Sequence, residues 1–207
     1  MGHPMRSLSR FNNLLHAACI ASIAALFIPN YALGAYIDRL HLISTIKATS
    51  AASIAWTGLG TTYHTFFLAC YGLFPATATQ SIFLQVGEGG TPTWETSSYK
   101  WISNAINASS TTNSNSVGSS DSGIDVSAGT LNNTATTALN MNAYLSDIQS
   151  TAQVKILNWQ GAFFGTDFWG LAGSGAYTGD TNAITAVRVI SSSGNINGTC
   201  SLYAVVQ

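Results

Sequence analysis

Charge is the scarcest commodity in this chain. Seven Lys and Arg and eight Asp and Glu make up 7% of its 207 residues, against about 25% in ordinary globular domains. No Lys/Arg cluster follows Arg10. Nucleic-acid backbones are held by neutralising phosphates, so the sequence argues against that class of partner. Cysteine is down to three. Cys19, Cys70 and Cys200 lack metal-ligand spacing. For Cys70 and Cys200 a disulfide stays open, but the burial habit of free cysteine favours two small thiols.

Catalytic signatures are missing as well. There is no Gly-x-Ser-x-Gly elbow, His-Glu-x-x-His helix, phosphate loop or Gly-x-Gly-x-x-Gly fingerprint. The expectation is a non-enzymatic protein with no metal and no cofactor. The eight acids form no closely spaced pair, although two distant carboxylates meeting in the fold would still permit glycoside hydrolysis. His41 and His64 read as structural histidines. The DSGID segment, Asp121 to Asp125, lacks EF-hand spacing and reads as a solvated loop. Arg188, inside an apolar strand, calls for a carboxylate or several carbonyls. Asn107, Asn132 and Asn197 begin Asn-x-Ser/Thr acceptor sequences, which chance supplies in a chain so rich in these residues.

Long apolar runs are few: 63–73 (YHTFFLACYGL) is the longest in the body of the chain, and another lies near the start. Residues 14–28 (LLHAACIASIAALFI) follow Arg6 and Arg10 and end at Pro29, with small residues around Gly34. For 1–38 three readings stand: a secretory signal, an apolar helix that docks on a partner, or translated upstream sequence. The run is short for a transmembrane helix.

What is present is 46% hydrophobic and 11% aromatic residues, interspersed with Gly, Ser, Thr and Asn. Short strands joined by turns suit that mixture. Strands are expected at 42–46, 53–59, 63–73, 81–86, 97–102 and 153–159, with weaker ones at 123–126 and 137–144. The last stretch, 183–207, reads as a closing β-hairpin, its apolar runs 184–190 and 200–206 joined by Gly194-Asn195 and Asn197-Gly198. Residues 104–122 are a low-complexity Ser/Thr/Asn stretch, expected as a surface loop. Residues 161–177 set Phe163, Phe164, Phe168, Trp169 and Tyr177 among glycines, expected either as a mobile loop or as a packed lid. The fold class is all-β: one antiparallel β-sandwich domain, jelly-roll-like, over 39–207.

Two sets of segments carry a resemblance. One is LISTIKATSAASIAWTGL, TTYHTFFLACYGL, FPATATQSIFLQV and SSYKW; the other is AITAVRVISSSGNINGTCSLYAV. In this order they resemble small virion-associated proteins of tailed bacteriophages and prophages, of the structural or tail-fibre kind. The resemblance spans about Leu40 to Val206, with a poorly matched middle. It implies a jelly-roll-like domain on the virion, in a fibre, spike or capsid decoration role. It further implies host attachment, other capsid or tail proteins as partners, and self-association, with a trimer favoured. Tailed phages assemble in the cytoplasm, so a secretory signal argues against that location. The alternative is a secreted carbohydrate-binding module, resting on the signal-like start and on the aromatics of 161–177. Under either reading Phe163, Phe164, Phe168, Trp169 and Tyr177 are the expected contacts, with a surface glycan or a neighbouring subunit.

Overall fold

The computed structural model describes residues 39–110 and 113–206. The apolar segment 1–38, with its three readings and its expected helix, lies outside them. The chain separates into two units, Met1–Leu40 and His41–Gln207, and the architecture below is that of the second.

Among the described residues the strands are β1 (Leu40–Ala51), β2 (Ile54–Thr57), β3 (Phe66–Pro75), β4 (Ile82–Glu88), β5 (Thr93–Trp94), β6 (Tyr99–Asn107), β7 (Asn113–Asp121), β8 (Ile124–Asp125), β9 (Leu139–Ser146), β10 (Lys155–Phe164), β11 (Phe168–Tyr177), β12 (Ile184–Ser191) and β13 (Ile196–Val205). The one helical element among them is a 3-10 turn, Ala135–Thr137. The strands form two antiparallel sheets. The larger has the order β1-β13-β3-β9-β10-β11-β6-β7; the smaller has β2-β12-β4-β5, with β8 also on β4. The expectation of an all-β antiparallel sandwich is met.

Period-two alternation makes these strands two-faced. In β9, Leu139, Met141, Ala143 and Leu145 are buried, while Asn140, Asn142 and Ser146 are exposed. In β10, Lys155, Leu157 and Trp159 point inward, and Ile156, Asn158 and Gln160 point outward. The inward apolar residues meet Ile54, Trp56, Leu84, Val86, Val187 and Val189 of the smaller sheet in one core. Each such side chain, fully buried, contributes about 1.5–3 kcal/mol.

Expectations about strand pairing are corrected at three places. The last two strands do not form a hairpin: β12 pairs with β2 and β4 in the smaller sheet, and β13 pairs with β3 in the larger. The polar turn between them carries the chain from one sheet to the other. The Ser/Thr/Asn stretch is not a loop along its length, because Asn113–Asp121 forms the edge strand β7 on β6. Residues 161–177 are likewise a paired hairpin, β10 with β11. Their glycines make room rather than slack: a Cβ at Gly173 would collide with the Trp159 ring, and one at Gly118 with Trp101 and Asp121.

Cys70 and Cys200 sit opposite each other on β3 and β13 and are joined by a disulfide, where two thiols were favoured. DSGID is not solvated throughout. Asp125 is buried and accepts hydrogen bonds from the Ser127 amide and hydroxyl. Among the described residues Arg188 pairs with no carboxylate. It donates from Nε to Gln85 Oε1 at 2.7 Å and lies 4.4 Å above the Trp94 ring. Lys155 is fully buried, its ammonium held by the carbonyls of Ser150, Gln153 and Thr181.

Candidate functional site

The outward residues of the larger sheet fall into register across strands that lie far apart in sequence. One row runs Tyr203, Phe67, Tyr144, Asn158, Ser174, Ile102, Val117. The row beside it runs Ser201, Ala69, Asn142, Gln160, Ala172, Asn104, Asn115. Aromatic rings occupy one end of the first row, with Phe67 4.9 Å from Tyr144 and 6.1 Å from Tyr203 between ring centroids. Amides dominate the second.

Between the taller side chains of β9–β10 and of β6–β7, strand β11 presents only Gly170, Ala172, Ser174 and Ala176 outward. The result is a trough of about 870 Å³ lined by Ile102, Asn104, Asn115, Val117, Asn142, Tyr144, Asn158 and Gln160. Two further depressions extend it along β11. One, of about 470 Å³, runs toward Asn140, Ile106 and Gly170. The other, of about 370 Å³, runs toward Lys100, Ile156 and Ala176. Trp159 supports the floor from below, its ring against Gly173 on the core side.

The trough carries almost no charge. No carboxylate lines any of its three parts, and Lys100 stands at one end. Its hydrogen-bonding groups are amides. Asn104 donates to Asn115 Oδ1 at 2.6 Å, and Asn158 Oδ1 accepts from the Ser174 hydroxyl at 2.7 Å. The remaining donor and acceptor positions of these amides face outward, and the Asn142 and Gln160 side chains make no hydrogen bond to any described residue. Apolar groups flank them: Ile102 and Val117 remain 58% and 72% exposed. Such a surface can bind a ligand that both donates and accepts hydrogen bonds and offers apolar faces. Neither a carboxylate nor a histidine is among its lining residues.

Carboxylates do meet elsewhere. Glu88 Oε2 and Asp180 Oδ2 both accept from Asn182 Nδ2, at 3.0 and 2.9 Å. Burial pushes the Glu88 carboxyl above the ordinary range, and Asp180 and Glu95 add to this. Asp121 accepts from Trp101 Nε1 at 2.7 Å. His64 contacts Asp147 at 3.0 Å on the surface, and His41 stacks on Tyr63.

The five aromatic residues expected to make contact are split between faces. Phe163 and Trp169 stack on each other at 6.2 Å and pack against the core. Tyr177 is buried and lies 5.4 Å from Tyr99. Phe164 and Phe168 pair across β10 and β11 and are exposed on the trough side, beyond Gly170. The amide array escaped sequence reading. Its trace is the alternation Asn140-x-Asn142-x-Tyr144 and Ile156-x-Asn158-x-Gln160, amides at every second position of two strands.

No family model matches this chain, and no curated protein matches it. Among solved structures, the Bacteroides ovatus mixed linkage glucan PUL (MLGUL) GH16 in complex with G4G4G3G product aligns with a TM-score of 0.26 and 8% identity, over 82% of this chain and 86% of that one. A legume lectin-like domain from Entamoeba histolytica aligns with a TM-score of 0.25 and 11% identity, over 79% and 87% of the two chains. Scores this low carry no argument.

Proposed function

We propose that this protein is a non-enzymatic structural component of a bacteriophage virion, of the fibre, spike or decoration type. Its jelly-roll-like domain serves attachment to the host surface. The observation that carries the reading is the outer face of the larger sheet, an amide- and ring-bearing trough without a carboxylate, built for contact and not for bond cleavage. The ordered segments from Leu40 to Val206 supply the virion context. Partners are other capsid or tail proteins and further copies of the chain, a trimer foremost. Exposed Tyr71, Phe164 and Phe168 suit subunit contact. Mass spectrometry of purified particles from the source phage tests this. The protein should be present at structural copy number. Its absence from particles, with abundance in the culture medium, would sink the idea.

The Cys70–Cys200 disulfide favours a second reading, since such bonds persist in oxidising compartments. In that case the protein is a secreted carbohydrate-binding module. Sequencing the N-terminus of the mature chain separates the two. Cleavage near Gly34 or Ala35 supports secretion, and an intact or internally started chain supports the virion.

A further inference from the structure

We infer that the trough along β11 is a binding site for an uncharged, linear glycan laid lengthwise on the strand. This deepens the attachment reading and rests on it. A sugar ring is a ligand of mixed character, with hydroxyls that donate and accept at its rim and CH groups on its faces. The trough matches both properties. Asn142, Asn158 and Gln160 offer amide donors and acceptors side by side, and Tyr144, Ile102 and Val117 offer apolar flanks.

Other ligand classes fit less well. A peptide added as a strand needs an open edge with unpaired backbone groups, yet β9, β10, β11 and β6 are paired on both sides, and the open edge of β7 lies on its side away from β6 and the trough. A polyanion needs several cations, and only Lys100 is near. A second copy of the chain would bring an apolar interface core, whereas the middle of this surface is amide. Length also argues for a polymer. The main trough shares Ser174 and Ile102 with the depression at one end, and Ala172 and Gln160 with the one at the other. From Gly170 to Ala176 the strand spans roughly 20 Å, room for several sugar rings in line.

The test is native affinity electrophoresis of the full chain. The gels contain dextran, yeast mannan, arabinogalactan or mixed-linkage β-glucan, with polygalacturonate as the charged control. At least one neutral polymer should retard the protein, and polygalacturonate should not. The double variant Asn142→Ala with Gln160→Ala should weaken retention about tenfold. Ala172→Trp, which fills the exposed floor, should abolish it. Both variants should keep the parental melting temperature. Retardation by none of the neutral polymers, retention by polygalacturonate alone, or variants that bind like the parent would each overturn the assignment. So would a change of sedimentation coefficient in Ala172→Trp with glycan retention intact, which would make the face a contact between copies. A chain present in particles but indifferent to every neutral polymer loses this inference and keeps its virion role. A chain retained by glycan but absent from particles does the reverse.

Discussion

On the outside of the five-stranded sheet, Arg188 bonds to Gln85 and covers Trp94, while Gln85 passes its amide hydrogen on to the Ser122 carbonyl. On the outside of the eight-stranded sheet, Asn142 and Gln160 stand next to each other and bond to nothing within the described chain. The two faces have polar side chains in common and differ in where those side chains are satisfied. Gln85 is 3% exposed, so its hydrogen bonds belong to folding. Asn142 and Gln160 lie on an open surface, with their bonding capacity unused by the described chain. Internal satisfaction, more than residue type, separates a structural polar group from a recognition group.

The largest break in that comparison comes from below the trough. Trp159→Ala removes the ring packed under Gly173 and should cost about 3–5 kcal/mol, read by denaturant unfolding, with glycan retention lost as the floor sinks. Next comes the smaller sheet. Arg188→Met strands the buried Gln85 acceptor, an expected loss of about 1–3 kcal/mol. Electrophoretic retention should not change, because Arg188 does not reach the trough. Asn142→Ala or Gln160→Ala should do the opposite, shifting stability by at most about 0.5 kcal/mol while weakening binding. Within the hairpin the same contrast holds between adjacent residues. Trp169→Ala, which uncouples Phe163 from the core edge, should lower the melting temperature more than Phe168→Ala, whose ring is 52% exposed.

The smallest effect concerns pH. Burial raises the Asp125 carboxyl above its ordinary 3.8, against the hydrogen bonds from Ser127. Its folded value therefore exceeds its unfolded one, and at neutral pH the ionised group opposes folding. As pH falls through the folded value toward 3.8, protonation relieves that opposition. Relative to Asp125→Asn, the parent should gain melting temperature on acidification across this window. A difference that stays flat with pH would show Asp125 to be well accommodated as a carboxylate.

Much of the fold could be read directly. Strands at β3 and β4 announce themselves through apolar runs, with expected boundaries within a few residues of the observed ones; β9 matches one of the weaker expectations, and β10 runs on to Phe164, past its expected end at 159. What escaped reading depends on neighbours distant in sequence. The glycines of β11 look like slack until Trp159 and Ile124 are placed against Gly173 and Gly175. The Ser/Asn run 113–121 has little strand preference of its own, and β6 supplies the pairing that makes it an edge. The separation of β12 from β13 turns on which sheet each joins, which a polar turn of that length does not announce. The trough is the extreme case. Asn104, Asn115, Asn142 and Asn158 are scattered along the chain, and only the spatial order β9-β10-β11-β6-β7 brings them together.

The disulfide between β3 and β13 has a mechanical consequence. Cys70 and Cys200 are 130 positions apart in sequence, yet tension applied to the two ends of the β domain crosses directly from one sulfur to the other. Everything between them is bypassed. Stretching can draw out only the segments outside the link, 39–69 and 201–206. The trough-bearing strands β6, β7, β9, β10 and β11 all lie inside the bypassed loop. A tether pulling on the two ends of this domain would load β1, β2 and the ends of β3 and β13, while the strands of the trough carried no chain tension until the covalent link itself was reduced.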